Sequence, residues 1–224
     1  MANVIIVENF SIYPPNPGAQ STPLGRGFLV DENSEKVVSS EVDACLCHVW
    51  DKESGTVLRE LQDILGSSDL TLTDDTDSTL FEWFGQAEDT SMVDRTNETE
   101  VRRVEFHFLY GTAAASGTAA TPFTTVVGDR TVSVNIVGHG MTAGSNHNIF
   151  FADAFEIGGL VLNGEYNVQG DDIIDSNNFT FEAKCEATAS AGPAGGSAVR
   201  WWTNAKSTIH YHEFAVTRIG PACS

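Results

Sequence analysis

The chain has 224 residues, 41% of them apolar, which is enough to bury a core without a metal or a disulfide scaffold. Thirty-one Asp and Glu against twelve Lys and Arg give a net charge of -19. Such a charge repels nucleic acid and anionic membrane and leaves no basic patch for phosphate, so neither is expected as a partner. The acid is uneven: residues 1–128 hold 21 Asp and Glu with 7 Lys and Arg, whereas residues 129–224 hold 10 and 5.

The opening stretch, "MANVIIVENFSIYPP", has an apolar run only from Val4 to Val7 and no basic lead. It reads as neither a signal peptide nor a membrane span, and the expectation is a soluble protein made in a cytoplasm. Period-2 alternation then dominates. Strands are predicted at "GFLVDE" (27–32), "ACLCHVWD" (44–51), "DLTLT" (69–73), "LFEWFG" (80–85) and "VRRVEFHFLYG" (101–111). Between them, "TVLRELQDILG" (56–66) has near-helical apolar spacing and a Gly stop, and reads either as a short helix or as a strand followed by a loop.

A charge-free run, "GTAAASGTAATP" (111–122), reads as a linker or extended connection. Beyond it come "TVSVNIV" (131–137), "NIFFADAF" (148–155), "YNVQ" (166–169), "FTFEAK" (179–184), "AVRWWT" (198–203) and "STIHYHEFAVTRIG" (207–220). The small-residue stretch "ATASAGPAGGSA" (187–198) reads as a long hairpin tip. The fold class is therefore all-β. Three segments are expected: a β-sandwich over 1–112, a linker over 113–128, and a small β-barrel with a C-terminal strand over 129–224.

Several residues invite chemistry. "GHGMTAG" (138–144) sets His139 between glycines at a strand end, where a catalytic base, a metal ligand or a plain turn residue would fit. "HYH" puts His210 and His212 on one strand face, a start for a zinc site if His139 or His147 joined them. The bland alternative is an edge strand showing those polar residues outward, with Ile209, Tyr211 and Glu213 taking the other positions. "CLCH" (45–48) has the CxC thiolate pattern but no second cysteine pair, so Cys45 and Cys47 are expected to pack inside a sheet. The four cysteines, with Cys185 and Cys223, fit reduced thiols.

The acidic runs "TDDTD" (73–77) and "QGDDIID" (169–175) lack helix–loop–helix calcium spacing and fall where turns are expected. No nucleophile elbow, phosphate loop, dinucleotide fingerprint or zinc-protease motif occurs. Catalytic, cofactor and metal residues are accordingly expected to be none. Adjacent tryptophans on a strand point to opposite faces, so one of Trp201 and Trp202 must leave the barrel interior. Both are interface candidates with His210 and His212, while Trp50 and Trp83 join them as possible stacking platforms for sugar.

From residue 131 to 202 the order is strand, "GHGMTAG", apolar strand, "ADAFEIGGLVLNGEYNV", "DSNNFTFEA", "ATASAGPAGGSAV". This succession resembles a small SH3/Tudor-like β-barrel module of tailed-bacteriophage structural proteins, itself similar to the first catalytic cysteine half-domain of ubiquitin-activating enzymes. The resemblance makes His139 a residue of the barrel's opening turn. It brings no ubiquitin chemistry, since nothing matches an adenylation domain and Lys184 and Glu186 offset each other around Cys185. Residues 1–112, with "RGFLVDENSEKVVSSEVDACLCHVWDKESGTVL", look like the Ig-like β-sandwiches of phage neck, tail and capsid-surface proteins.

The resemblance implies a virion structural protein that is not an enzyme, made in the host cytoplasm and built into the particle. The leading expectation is a capsid decoration or cement protein bound to the major capsid protein, as a homo-oligomer with a trimer preferred. A neck, tail or fibre-adaptor protein, and a glycan-binding module on the virion surface, are the alternatives.

Overall fold

The computed structural model describes residues 5–12, 23–94 and 96–217. Cys223 and the end of the predicted C-terminal strand lie outside them. Sixteen strands and no α-helix occur among the described residues, arranged as four antiparallel four-stranded sheets. Two compact units result. One takes the chain up to Tyr110 and again from Thr208, and the other is Gly111–Ser207.

In the first unit, β1 (Ile6–Ile12), β2 (Gly25–Val30), β5 (Leu70–Asp74) and β6 (Thr79–Trp83) form a sheet in the order β1-β2-β6-β5. The facing sheet, β16-β7-β3-β4, is built from β3 (Val42–Asp51), β4 (Val57–Asp63), β7 (Thr99–Tyr110) and β16 (Lys206–Thr217). Alternation explains the layering: Thr79, Phe81 and Trp83 point inward from β6, and Val104, Phe106 and Phe108 from β7. Phe81 and Trp83 stack edge-on against Phe106 at 5.0 and 5.5 Å, and Cys45 and Cys47 close the same core.

The stretch 56–66 is strand β4 followed by a turn, the second of its two sequence readings. Its apolar residues do not form one buried face. Val57 is 42% exposed, while the buried side chain of the strand is Arg59. Pairing with β3, through two irregularities in register, decides the conformation over local spacing.

The second unit also has two sheets. β9 (Phe123–Thr125), β10 (Thr131–Asn135), β13 (Asn178–Glu182) and β14 (Ala191–Ala194) lie in the order β13-β10-β9-β14. β8 (Ala115–Ala119), β11 (His147–Ala152), β12 (Gly164–Val168) and β15 (Val199–Thr203) lie in the order β12-β11-β15-β8. The pairs nest, β8 with β15, β9 with β14, β10 with β13 and β11 with β12, so that a sandwich- or barrel-like wall surrounds Phe151, Phe179, Phe181 and Trp201. Nesting brings the unit's two ends together: the Ala114 N–H donates to the Thr203 carbonyl at 2.8 Å.

Three expectations about organisation change. Residues 113–128, read as a linker, carry β8 and β9, because small uncharged residues fit closely packed strands as well as they fit a flexible connection. Gly117 on β8 faces Trp201, where an added Cβ would sit 3.2 Å from the indole. From Thr208 onward the C-terminal strand belongs to the first unit, where it is β7's neighbour, instead of ending the barrel. The expected hairpin tip at 187–198 likewise contains β14, which pairs with β9.

Candidate functional site

In "GHGMTAG", Gly138 and Gly140 have φ of +69° and +74°, in the left-handed region that glycine alone enters freely. A Cβ on Gly140 would stand 2.7 Å from the Ala115 Cβ. The turn buries His139 completely. Its Nε2–H donates to the Asp175 carbonyl at 2.9 Å, its Nδ1 accepts the Met141 N–H at 3.1 Å, and its ring meets Phe179 edge-on at 5.1 Å. Both ring nitrogens are therefore used, Nε2 to fasten the turn to the loop before β13 and Nδ1 to brace the turn itself.

His210 and His212 point into the first unit, against Phe108 and Phe106 respectively, in line with buried Phe214 and Val216. The outward residues of β16 are Ile209, Tyr211 and Glu213. This reverses the expectation of histidines displayed at an edge: the core-facing register of Phe214 and Val216 carries through to positions 212 and 210. The His210 ring bonds the Ile5 carbonyl at 2.6 Å. Burial holds both imidazoles below their ordinary value, His212 at about 4 with His210 adding repulsion. As interface candidates, both are displaced by Tyr211, which is 56% exposed.

Tyr211 belongs to a platform on the outer face of its sheet. The Arg103 guanidinium lies 5.8 Å from the Tyr211 ring and 6.0 Å from that of Trp50. Glu213 holds Arg103 and also Lys52, the latter at 2.7 Å. Alongside, Glu105 accepts from His107 at 3.0 Å and lies 4.0 Å from His48. Although burial pushes the Glu105 carboxyl up, these imidazoles bring it down to about 2. Sequence reading missed the grouping because Trp50, Arg103 and Tyr211 come from three separate strands; the exact cross-strand partnership of Trp50 with Arg103 has no local signal.

Of the tryptophans, Trp83 and Trp201 are buried and are lost as stacking platforms. Trp202 is the outward member of its pair, half-buried, with Phe150 at 6.2 Å and the Arg200 guanidinium 5.3 Å from its ring. Cys45 and Cys47 are fully buried, and burial pushes both thiols well above the ordinary range. Cys185 is exposed.

The acidic runs fall at the end of β5 and on the connection between β12 and β13. Asp74 accepts from the Ser39 and Thr79 hydroxyls, which hold its carboxyl at about 2, and Asp175 accepts from the Asn177 and Asn178 N–H groups. No group of three or more His, Cys, Asp and Glu among the described residues is arranged to hold a metal.

Exposure of large apolar side chains is concentrated elsewhere. Val137 (79%), Phe155 (70%), Ile174 (68%), Val127 (59%) and Val126 (55%) all stand on connections of the second unit. That unit is also the less acidic, with nine Asp and Glu against four Lys and Arg, where the first has twenty-two against eight.

The fold thus defines an all-β protein of two sheet-pair units, the second inserted between two neighbouring strands of the first. No family profile matches the sequence, and no curated protein matches it. Among solved structures the chain is similar to "Phage phi92 endosialidase", at 13% identity and a TM-score of 0.34, with 79% of this chain covering 29% of that one. At that similarity nothing about activity transfers.

Proposed function

We propose that the protein is a structural component of a tailed-phage particle and acts by binding, as a decoration or cement protein on the capsid surface. The observation that carries this reading is the set of exposed apolar side chains on the less acidic unit, headed by Val137 and Phe155. Apolar groups on turns cost solubility in isolation and gain free energy only when a partner covers them. The resemblance of residues 131–202 to phage barrel modules supplies the class of partner.

In this reading the second unit docks on the major capsid protein while the acidic first unit faces solvent. A specific contact buries roughly 1,200–2,000 Å² in total, and a trimer matched to lattice symmetry adds contacts by avidity. His139 fastens a turn and carries no catalytic role.

The test is the position and copy number of the chain in purified particles, by cryo-EM and quantitative mass spectrometry. Many copies on the capsid lattice, lost when Val137 and Phe155 are both changed to Asp, are expected. A few copies at the neck or tail would move the protein to the adaptor alternative, and absence from particles would overturn the proposal.

A further inference from the structure

The outer face of the sheet β13-β10-β9-β14 carries an open groove of about 480 Å³, within the roughly 300–1,000 Å³ of small-ligand sites. Alternation builds it. Val132, Val134 and Phe123 turn inward, so Ser133, Asn135 and Thr124 turn outward, and the register pairs Ser133 directly with Thr124. Thr121 closes one side, and Pro193 and the exposed Ile174 form apolar borders.

The chemistry of this lining is specific. No residue in it is ionisable, in a chain of net charge -19. The hydroxyls of Thr121, Thr124 and Ser133 make no hydrogen bond among the described residues. Asn135 donates to the Asn178 Oδ1 at 2.7 Å and keeps its own Oδ1 unused. Asn178 in turn donates from Nδ2 to both oxygens of Asp175 at 2.9–3.0 Å, so the one nearby carboxylate is engaged from behind. Three hydroxyls, each able to donate once and accept twice, and one amide oxygen therefore face solvent side by side.

We infer that this groove binds a neutral glycan, with hexose hydroxyls meeting Thr121, Thr124, Ser133 and Asn135 and a sugar's C–H face lying on Pro193 or Ile174. An acidic glycan would find no cation in the lining and would meet the repulsion of the whole chain. The tryptophans do not line the groove, so the site is distinct from the stacking surface suggested by "RWWT". It does not depend on the particle reading: the groove binds sugar or fails to whether or not the chain is found in virions.

The experiment is saturation-transfer NMR and calorimetry of the full chain with maltotetraose, cellotetraose, mannotetraose and a β-galactan tetramer, alongside a uronate tetramer. At least one neutral member binds at millimolar concentration and the uronate does not. Thr124→Val with Ser133→Ala weakens binding by about tenfold or more, with an unchanged melting curve, whereas Trp202→Ala leaves it unaltered. No binding by any neutral oligosaccharide, equal binding of the uronate, or binding indifferent to the paired groove variant would overturn the inference.

Discussion

The Nε2–H of His139 donates to the carbonyl oxygen of Asp175 at 2.9 Å, tying the β10–β11 turn to the loop before β13. With Nδ1 occupied by the Met141 N–H, the ring has no free nitrogen for a substrate proton. His139→Ala removes two hydrogen bonds, one buried and one part-buried, and an edge-on aromatic contact. It is expected to cost ~2–4 kcal/mol, read as a lower urea midpoint for the second unit. Under the proposed function, particle binding of the folded variant should match wild type. Full stability with lost function would return His139 to a chemical role.

In the first unit, Arg102 is fully buried between Asp51 and Glu100 and donates to the Ser91 carbonyl. Burial pushes the Glu100 carboxyl up, but bonds from Arg102 and the Val93 and Asp94 N–H groups bring it down to about 2. Arg102→Met leaves two buried carboxylates without their cation and is expected to destabilise by ~3–5 kcal/mol. Adding Asp51→Asn and Glu100→Gln should restore part of that loss in a denaturant titration. If the triple variant is no more stable than the single one, packing of the Arg102 stem accounts for the effect instead of charge.

The histidines of β16 set a pH dependence. His210 faces Phe108 and the Ile5 carbonyl, and His212 faces Phe106. Their folded values lie below the ordinary 6.5, so the unfolded chain binds more protons and stability is lost as pH falls from about 6.5 towards 4. Glu100, Glu105 and Asp74, each held at about 2, contribute stability above their ordinary values that is lost lower, between about 4.5 and 2. A melting-temperature profile of the full chain should fall in both windows. His210→Gln with His212→Gln should flatten the upper one alone. An unchanged slope between pH 6.5 and 4 in that variant would show that the imidazoles do not couple to folding.

Alternation made the all-β class legible, since residues such as Val132 and Val134, or Phe179 and Phe181, declare a buried face by themselves. What alternation cannot give is pairing. "GTAAASGTAA" has no apolar face to advertise, and its strand β8 exists because Gly117 leaves room for Trp201, more than eighty residues on. The same limit hid the end of the second unit: nothing within "STIHYHEFAVT" says that its neighbour is β7 across a ninety-seven-residue insertion. The candidate site was half visible. "RWWT" announced one outward tryptophan without saying which, and Thr124 beside Ser133 is a relation of register only.

That assignment of the two tryptophans separates folding from binding. Trp201 is 5% exposed in the second unit's core, whereas Trp202 is outward beside Arg200 and Phe150. Trp201→Ala opens a cavity the size of an indole and is expected to cost ~3–5 kcal/mol. Trp202→Ala forfeits a partly exposed contact and a cation–π interaction, expected to cost ~1 kcal/mol or less. Near-UV circular dichroism and denaturant midpoints on the two variants check the difference. Trp202 combines an aromatic surface with a neighbouring arginine, the composition that dominates binding energy in protein interfaces. Under the proposed capsid-binding reading, a sedimentation assay with capsids should show Trp202→Ala weakening attachment while its fold is intact; attachment equal to wild type would confine the proposed docking surface to the Val137 and Phe155 turns.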